Sequence, residues 1–188
     1  QNGTKKVWDF MKIHDSVSIL IFNTSRQCFV LVKQFRPGLG ANNEKDKHIM
    51  RNLNARGQRN RILKNKKYLF LLKKNVIQKV NLNASDSFCC VDRGSISLKK
   101  NDLYCLQPVW SGVGVTGSSQ TLFYAEVTDQ MRIGEGGGQA EEGELIEVVE
   151  IPLEDSMKFA YDETLQKTMG VIFSFTWFQD NIAPKLLK

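Results

Sequence analysis

Apolar and polar positions sort most clearly near the start of the chain, where Ser16-Val17-Ser18-Ile19-Leu20-Ile21-Phe22 gathers β-branched and aromatic residues into a short run. Such residues fit a pleated, half-buried surface and predict a strand, which Asn23-Thr24-Ser25-Arg26 stops with turn-forming side chains. Gln27 to Phe35 resumes the pattern, so the two runs predict a hairpin. Arg36-Pro37-Gly38 ends it, because proline cannot donate to a sheet ladder. Gln120 to Val127 predicts a further strand. In Leu145 to Ile151 the alternation returns, with Leu145, Glu147, Val149 and Ile151 on one face and Ile146, Val148 and Glu150 on the other. The period then lengthens. Leu153 to Tyr161 opens on Glu154 and Asp155, acids that suit a helix N-terminus. Thr168 to Ile182 places Met169, Ile172, Phe173, Thr176 and Trp177 near a 3.6-residue spacing, which predicts a buried helix with Trp177 in the core.

The middle of the chain breaks this order. Asn42 to Lys67 is Asn, Lys and Arg with little apolar period, a composition that predicts loop or disorder. Tyr68-Leu69-Phe70-Leu71-Leu72 is an isolated apolar run between lysine pairs, and Val76 to Leu82, Phe88 to Val91 and Ser95 to Leu98 predict short strands. Strands, an irregular block, more strands and then helices predict an α/β or α+β sandwich.

Charge changes the picture only when it is divided along the chain. The net charge is +6, but residues 42 to 107 hold 15 Lys or Arg against 5 Asp or Glu, and the remainder 11 against 15. Basicity is thus a property of one block, and nucleic acid is not an expected partner: stacking aromatics and a known RNA-binding motif are missing from it. At 188 residues the chain predicts one domain, 1 to 188, with 42 to 107 as an atypical, poorly ordered basic segment. Its longest apolar runs fall far short of a bilayer span, and Gln1 to Lys6 has no apolar leader segment. Cys28, Cys89, Cys90 and Cys105 show no metal-ligand spacing and only His14 and His48 accompany them, so neither zinc nor a disulfide framework is expected. The cytoplasmic compartment follows.

Three places carry candidate chemistry. Glu141-Glu142-Gly143-Glu144 crowds carboxylates at a strand end, where they either stay solvated or hold a hard divalent cation such as Mg²⁺. Arg36 is a cation at another strand end. Trp110-Ser111-Gly112-Val113-Gly114-Val115-Thr116-Gly117-Ser118-Ser119 is a Gly/Ser loop whose backbone N–H groups and hydroxyls are of the kind that cradle phosphate, although it matches no Walker or dinucleotide fingerprint.

Taken together, Trp8-Asp9-Phe10-Met11-Lys12, His14-Asp15-Ser16-Val17, Val30-Leu31-Val32-Lys33-Gln34-Phe35-Arg36-Pro37, Trp110 to Gly114 and Glu142-Gly143-Glu144-Leu145-Ile146-Glu147-Val148 resemble the Nudix hydrolases, in the branch that cleaves nucleoside diphosphate sugars. The resemblance flanks the basic block on both sides. It implies an α/β/α Nudix sandwich with a mixed sheet, disrupted between residues 42 and 107, and a homodimer. It also implies Mg²⁺-dependent hydrolysis of UDP-glucose, and of ADP-ribose as a further substrate, to nucleoside monophosphate and sugar 1-phosphate. By the same resemblance Arg36 contacts the diphosphate, Trp8 stacks on the base, and Ser111, Gly112, Thr116 and Ser118 border sugar and phosphates. Glu144, and after it Glu142, bind metal or activate water.

The family's defining signature is a loop-helix-loop that gathers several glutamates on one helical face, and it belongs between Pro37 and Trp110. Glu44 is the one glutamate in that interval, so the signature is absent and the basic block stands in its place. Replacement of the encoded segment from about Ala41 to Gln107, by alternative splicing, intron read-through or a gene-model error, is the expected origin. The alternative to an active enzyme is a Nudix-like module that binds or dimerises without turnover.

Overall fold

The computed structural model describes residues 3, 5, 7–34, 68–70, 72–74, 88–90, 96–98, 102–134 and 146–186. The predicted hairpin is present as β1 (Ser16–Asn23) and β2 (Cys28–Gln34). Its turn is fixed by Asn23, whose side-chain oxygen accepts the N–H groups of Ser25 at 2.9 Å and Arg26 at 3.1 Å. Gln27 takes the left-handed backbone, φ 49°, that reverses the chain.

The hairpin opens as it leaves the turn. β1 and β2 pair directly only over Ile21–Asn23 and Cys28–Val30. Beyond that, β3 (Tyr68–Phe70) pairs with β2 at Val32–Gln34, and β4 (Leu72–Lys74) pairs with β1 at Val17–Ile19. The apolar run that looked isolated in the sequence therefore lies in the mouth of the opening hairpin. A separate pair of strands, β5 (Phe88–Cys90) and β6 (Ile96–Leu98), forms an antiparallel ladder, close to the sequence expectation. The expected strand at Val76 to Leu82 lies outside the described residues.

β7 (Leu103–Ser111) and β8 (Ser118–Val127) complete one side of the sheet. β8 runs parallel to β1 from Ser16↔Gln120 to Asn23↔Val127, and β7 pairs antiparallel to β8 with a register shift between Cys105 and Gln107. β9 (Ile146–Pro152) lies antiparallel along the whole of β2. The result is a mixed sheet in an α/β fold, as expected. β7 itself was not anticipated. Pro108 and the bulge beside Cys105 break the alternation that would have announced it, so the loop expected from Trp110 to Ser119 shrinks to Gly112 to Gly117.

The two faces of the sheet carry different cores. One buries Leu20, Phe22, Phe29, Leu31, Leu122 and Tyr124 against α1 (Ser156–Tyr161) and α2 (Met169–Asn181); a short α3 (Ala183–Leu186) follows. Phe29 meets Phe175 at 4.5 Å and Phe178 at 4.7 Å between ring centroids, and Phe22 meets Phe178 at 4.7 Å, within the range where aromatic pairs stabilise beyond their area. The other face buries Ile19, Ile21, Val30, Val32, Ala125 and Val127, and there Ile96 and Leu98 of β6 pack on it.

The buried face of α2 differs from the expected one. Val171, Ser174, Phe175 and Phe178 are inside, whereas Met169 is 78% and Phe173 45% exposed and Trp177 sits half-buried at the rim. Apolar residues surround this helix almost evenly, so spacing alone offers two nearly equivalent stripes. The stripe that meets the Phe22 and Phe29 rings is the one that buries.

Candidate functional site

Residues Gly112 to Gly117, between β7 and β8, close around a single acceptor. The Gly112 carbonyl receives the N–H groups of Val115 at 2.9 Å, Thr116 at 2.8 Å and Gly117 at 3.2 Å. Gly112 (φ 62°) and Gly117 (φ 57°) occupy the left-handed region, and a Cβ at Gly112 would fall 2.4 Å from Thr116 Oγ1. The hydroxyls of Thr116 and Ser118 lie 3.4 Å apart, each within reach of the Ser111 carbonyl, at 3.4 and 3.3 Å. The structure thus brings Ser111, Gly112, Thr116 and Ser118 together. Three of the loop's amides, those of Val115, Thr116 and Gly117, point inward at Gly112 O.

An N-terminal arm docks along this loop. The Trp8 indole Nε1–H donates to Gly114 O at 3.1 Å, the Met11 N–H donates to Val115 O at 2.9 Å, and the Asp15 carboxylate accepts the Ser119 N–H at 2.8 Å. Each bond engages a polar edge and leaves ring faces in solvent: Trp8 is 70% exposed and Trp110, at the end of β7, 75%. The amide and hydroxyl of Ser119, with His14 adding a smaller attraction, hold the Asp15 carboxyl below its usual range. In the sequence Asp15 stood out only as part of the His14-Asp15-Ser16-Val17 motif. An acid immediately before a strand that must accept a neighbouring amide is the signal that could have singled it out.

A second polar cluster sits at the opposite end of β1. Arg26 Nε donates to Asp129 at 2.7 Å and its Nη1 to both oxygens of Glu150 at 2.5 and 2.6 Å, while Asn23 Nδ2 donates to Asp129 at 2.8 Å. The Asn23 amide first, and Arg26 next, hold the Asp129 carboxyl below its usual range. Cys28 lies beneath, its thiol pushed up by burial and by the Glu150 charge, in keeping with an inert core residue. Glu150, a carboxylate of the acidic β9 stretch, is therefore engaged by an arginine.

Glu142, Glu144 and Arg36 lie outside the described residues. Among the described residues no group of three or more His, Cys, Asp or Glu is placed to hold a metal ion. These residues do not assemble a divalent-cation site, and no helix among them is long and apolar enough to cross a membrane.

No family model matches the chain. The uridine diphosphate glucose pyrophosphatase of Bos taurus is 45% identical over 194 residues, covering 99% of this chain and 87% of that protein. That of Mus musculus is 41% identical over the same coverage. A solved structure described as an ADP compounds hydrolase superposes with a TM-score of 0.59 at 14% identity, over 96% of this chain and 82% of that one, which supports the fold. The matched span includes the basic interval, and hydrolases of this kind generally use a divalent metal. On this identity and coverage, the chain belongs to the uridine diphosphate glucose pyrophosphatase family of the Nudix hydrolases.

Proposed function

We propose that the chain hydrolyses the diphosphate of a nucleoside diphosphate sugar, UDP-glucose in the first instance, to UMP and glucose 1-phosphate. The observation that carries this reading is the 45% identity to the bovine pyrophosphatase across 99% of the chain. The arm and loop support it. Trp8 is pinned by its indole N–H with its ring faces open, which suits stacking on a base. Ser111, Gly112, Thr116 and Ser118 gather beside it, in position to border the sugar. Arg36 supplies a guanidinium fork of the shape that pairs with diphosphate oxygens. Mg²⁺, with Glu144 and Glu142 as its carboxylates, would neutralise the diphosphate charge. The exposed apolar side chains of Val7, Trp8, Phe10 and Met11 support a homodimer with this arm at its interface.

The test is release of UMP from UDP-glucose by the purified full chain with Mg²⁺. Trp8→Ala is expected to raise KM roughly tenfold with kcat little changed, the scale of one lost base stack. Glu144→Gln is expected to lower kcat. UDP-glucose binding with no UMP release would overturn hydrolysis and leave a binding module. Sedimentation as a monomer at micromolar concentration would remove the dimer.

A further inference from the structure

The arm and loop occupy one end of the β7–β8 hairpin. At the other end, where Leu103 pairs with Ala125, a cleft of about 560 Å³ opens between the hairpin and the end of α2. Strand from Leu103 to Ser111 separates the two places by about 26 Å, at roughly 3.3 Å per residue. The cleft volume lies in the range of small-molecule sites.

Its walls are chemically sorted. The rings of Tyr104 and Trp177 lie nearly parallel, 28° apart with centroids 6.3 Å apart, and Tyr104 is 63% exposed. That spacing is direct ring contact and leaves no room for a third ring between them, so a flat ligand would stack on the outer face of Tyr104. Behind it the Tyr124 hydroxyl donates to Glu126 Oε1 at 2.9 Å and orients that carboxylate. Burial, reinforced by Glu126, pushes the Tyr124 phenol far above its usual range, so the donor persists at neutral pH. Asn181 donates an amide N–H to the Trp177 carbonyl at 2.8 Å, and its own carbonyl oxygen is a further acceptor on this wall. Lys185 is the cation on the helical wall.

An aromatic platform, oriented acceptors and one cation suit a flat ring with N–H donors that carries an anionic group. We propose that this cleft binds a nucleoside monophosphate whose base bears an exocyclic amino group, with the base on Tyr104, its amino group at Glu126 or Asn181, and its phosphate at Lys185. The site is separate from the arm and loop, and its occupancy does not depend on the hydrolytic reading.

Equilibrium dialysis of the full chain against AMP, with saturating UMP present to fill any uridine site, is the test. The wild type is expected to retain AMP under these conditions. Tyr104→Ala should weaken AMP roughly tenfold, Tyr104→Phe should preserve binding, and Glu126→Gln should weaken AMP severalfold while leaving UMP binding unchanged. Tyr104 is exposed, so its substitution leaves the core intact, and an unchanged circular dichroism spectrum checks this. Displacement of AMP by UMP, or AMP binding indifferent to Tyr104→Ala, would overturn the proposal. A chain that fails to hydrolyse UDP-glucose yet retains AMP would sink only the proposed activity.

Discussion

The two faces of the sheet are closed by different kinds of chain. On one, Phe22 and Phe29 interlock with Phe175 and Phe178 of a helix that follows β9 after a short stretch of chain. On the other, the Ile19, Ile21, Val30 and Val32 surface meets Ile96 and Leu98, two aliphatic residues from within the most basic part of the sequence. Net charge described that interval poorly as a structural element. Two apolar side chains two residues apart on one strand share a face, and that suffices to place β6 against the sheet whatever the composition around it.

That contrast can be broken by experiment. The largest effect is expected on the aromatic face: Phe175→Ala should cost about 3–5 kcal/mol in denaturant unfolding, through lost burial and the cavity left among the rings. Leu98→Ala should cost about 2–4 kcal/mol on the opposite face. A change below about 0.5 kcal/mol, the scale of a surface substitution, would mean that β6 does not close that side. Smaller again, Arg26→Ala removes the shared partner of Asp129 and Glu150. Those side chains are 35 to 53% exposed, so solvent screening limits the loss to about 1 kcal/mol, shrinking further in high salt. The smallest effect concerns the arm. Asp15 titrates below its ordinary value when docked, so its contribution is present above the unfolded value near 3.9 and is lost as pH falls through the lower, docked value. Trp fluorescence should therefore report arm release only in strong acid, and Asp15→Asn, which can still accept the Ser119 N–H without titrating, should flatten that response.

Much of the fold was legible because its signals were redundant. β1 and β2 were continuous runs rich in β-branched and aromatic residues, buried on both faces, β9 alternated, and the hairpin turn was marked by Asn23, whose side chain holds it. β7 was hidden by Pro108 and a bulge. The stripe of α2 was hidden by an excess of apolar residues, since pattern locates a face only when the opposite face is polar. At the site, Trp8 and the Ser111 to Ser118 residues were identified from resemblance, and the structure brings them together. That Gly112 O consumes three amides could not be read from a Gly/Ser composition, which predicts freedom of backbone but not where its donors point. The docking of the arm by Met11 N–H is a main-chain bond and leaves no trace in residue identity.

The parallel pairing of β1 with β8 has a consequence for how the protein is made. As the chain leaves the ribosome, Ser16 to Asn23 emerges well before its ladder partner, Gln120 to Val127, has been synthesised. Throughout that interval the edge of β1 that will meet β8 stays unpaired, while β2 at Ile21–Asn23 and β4 at Val17–Ile19 are its earlier ladder partners. Long-range pairing of this kind is slow to form and exposes sticky strand edges meanwhile. The nascent β1 edge is thus a place where a chaperone's protection during translation would act on this protein.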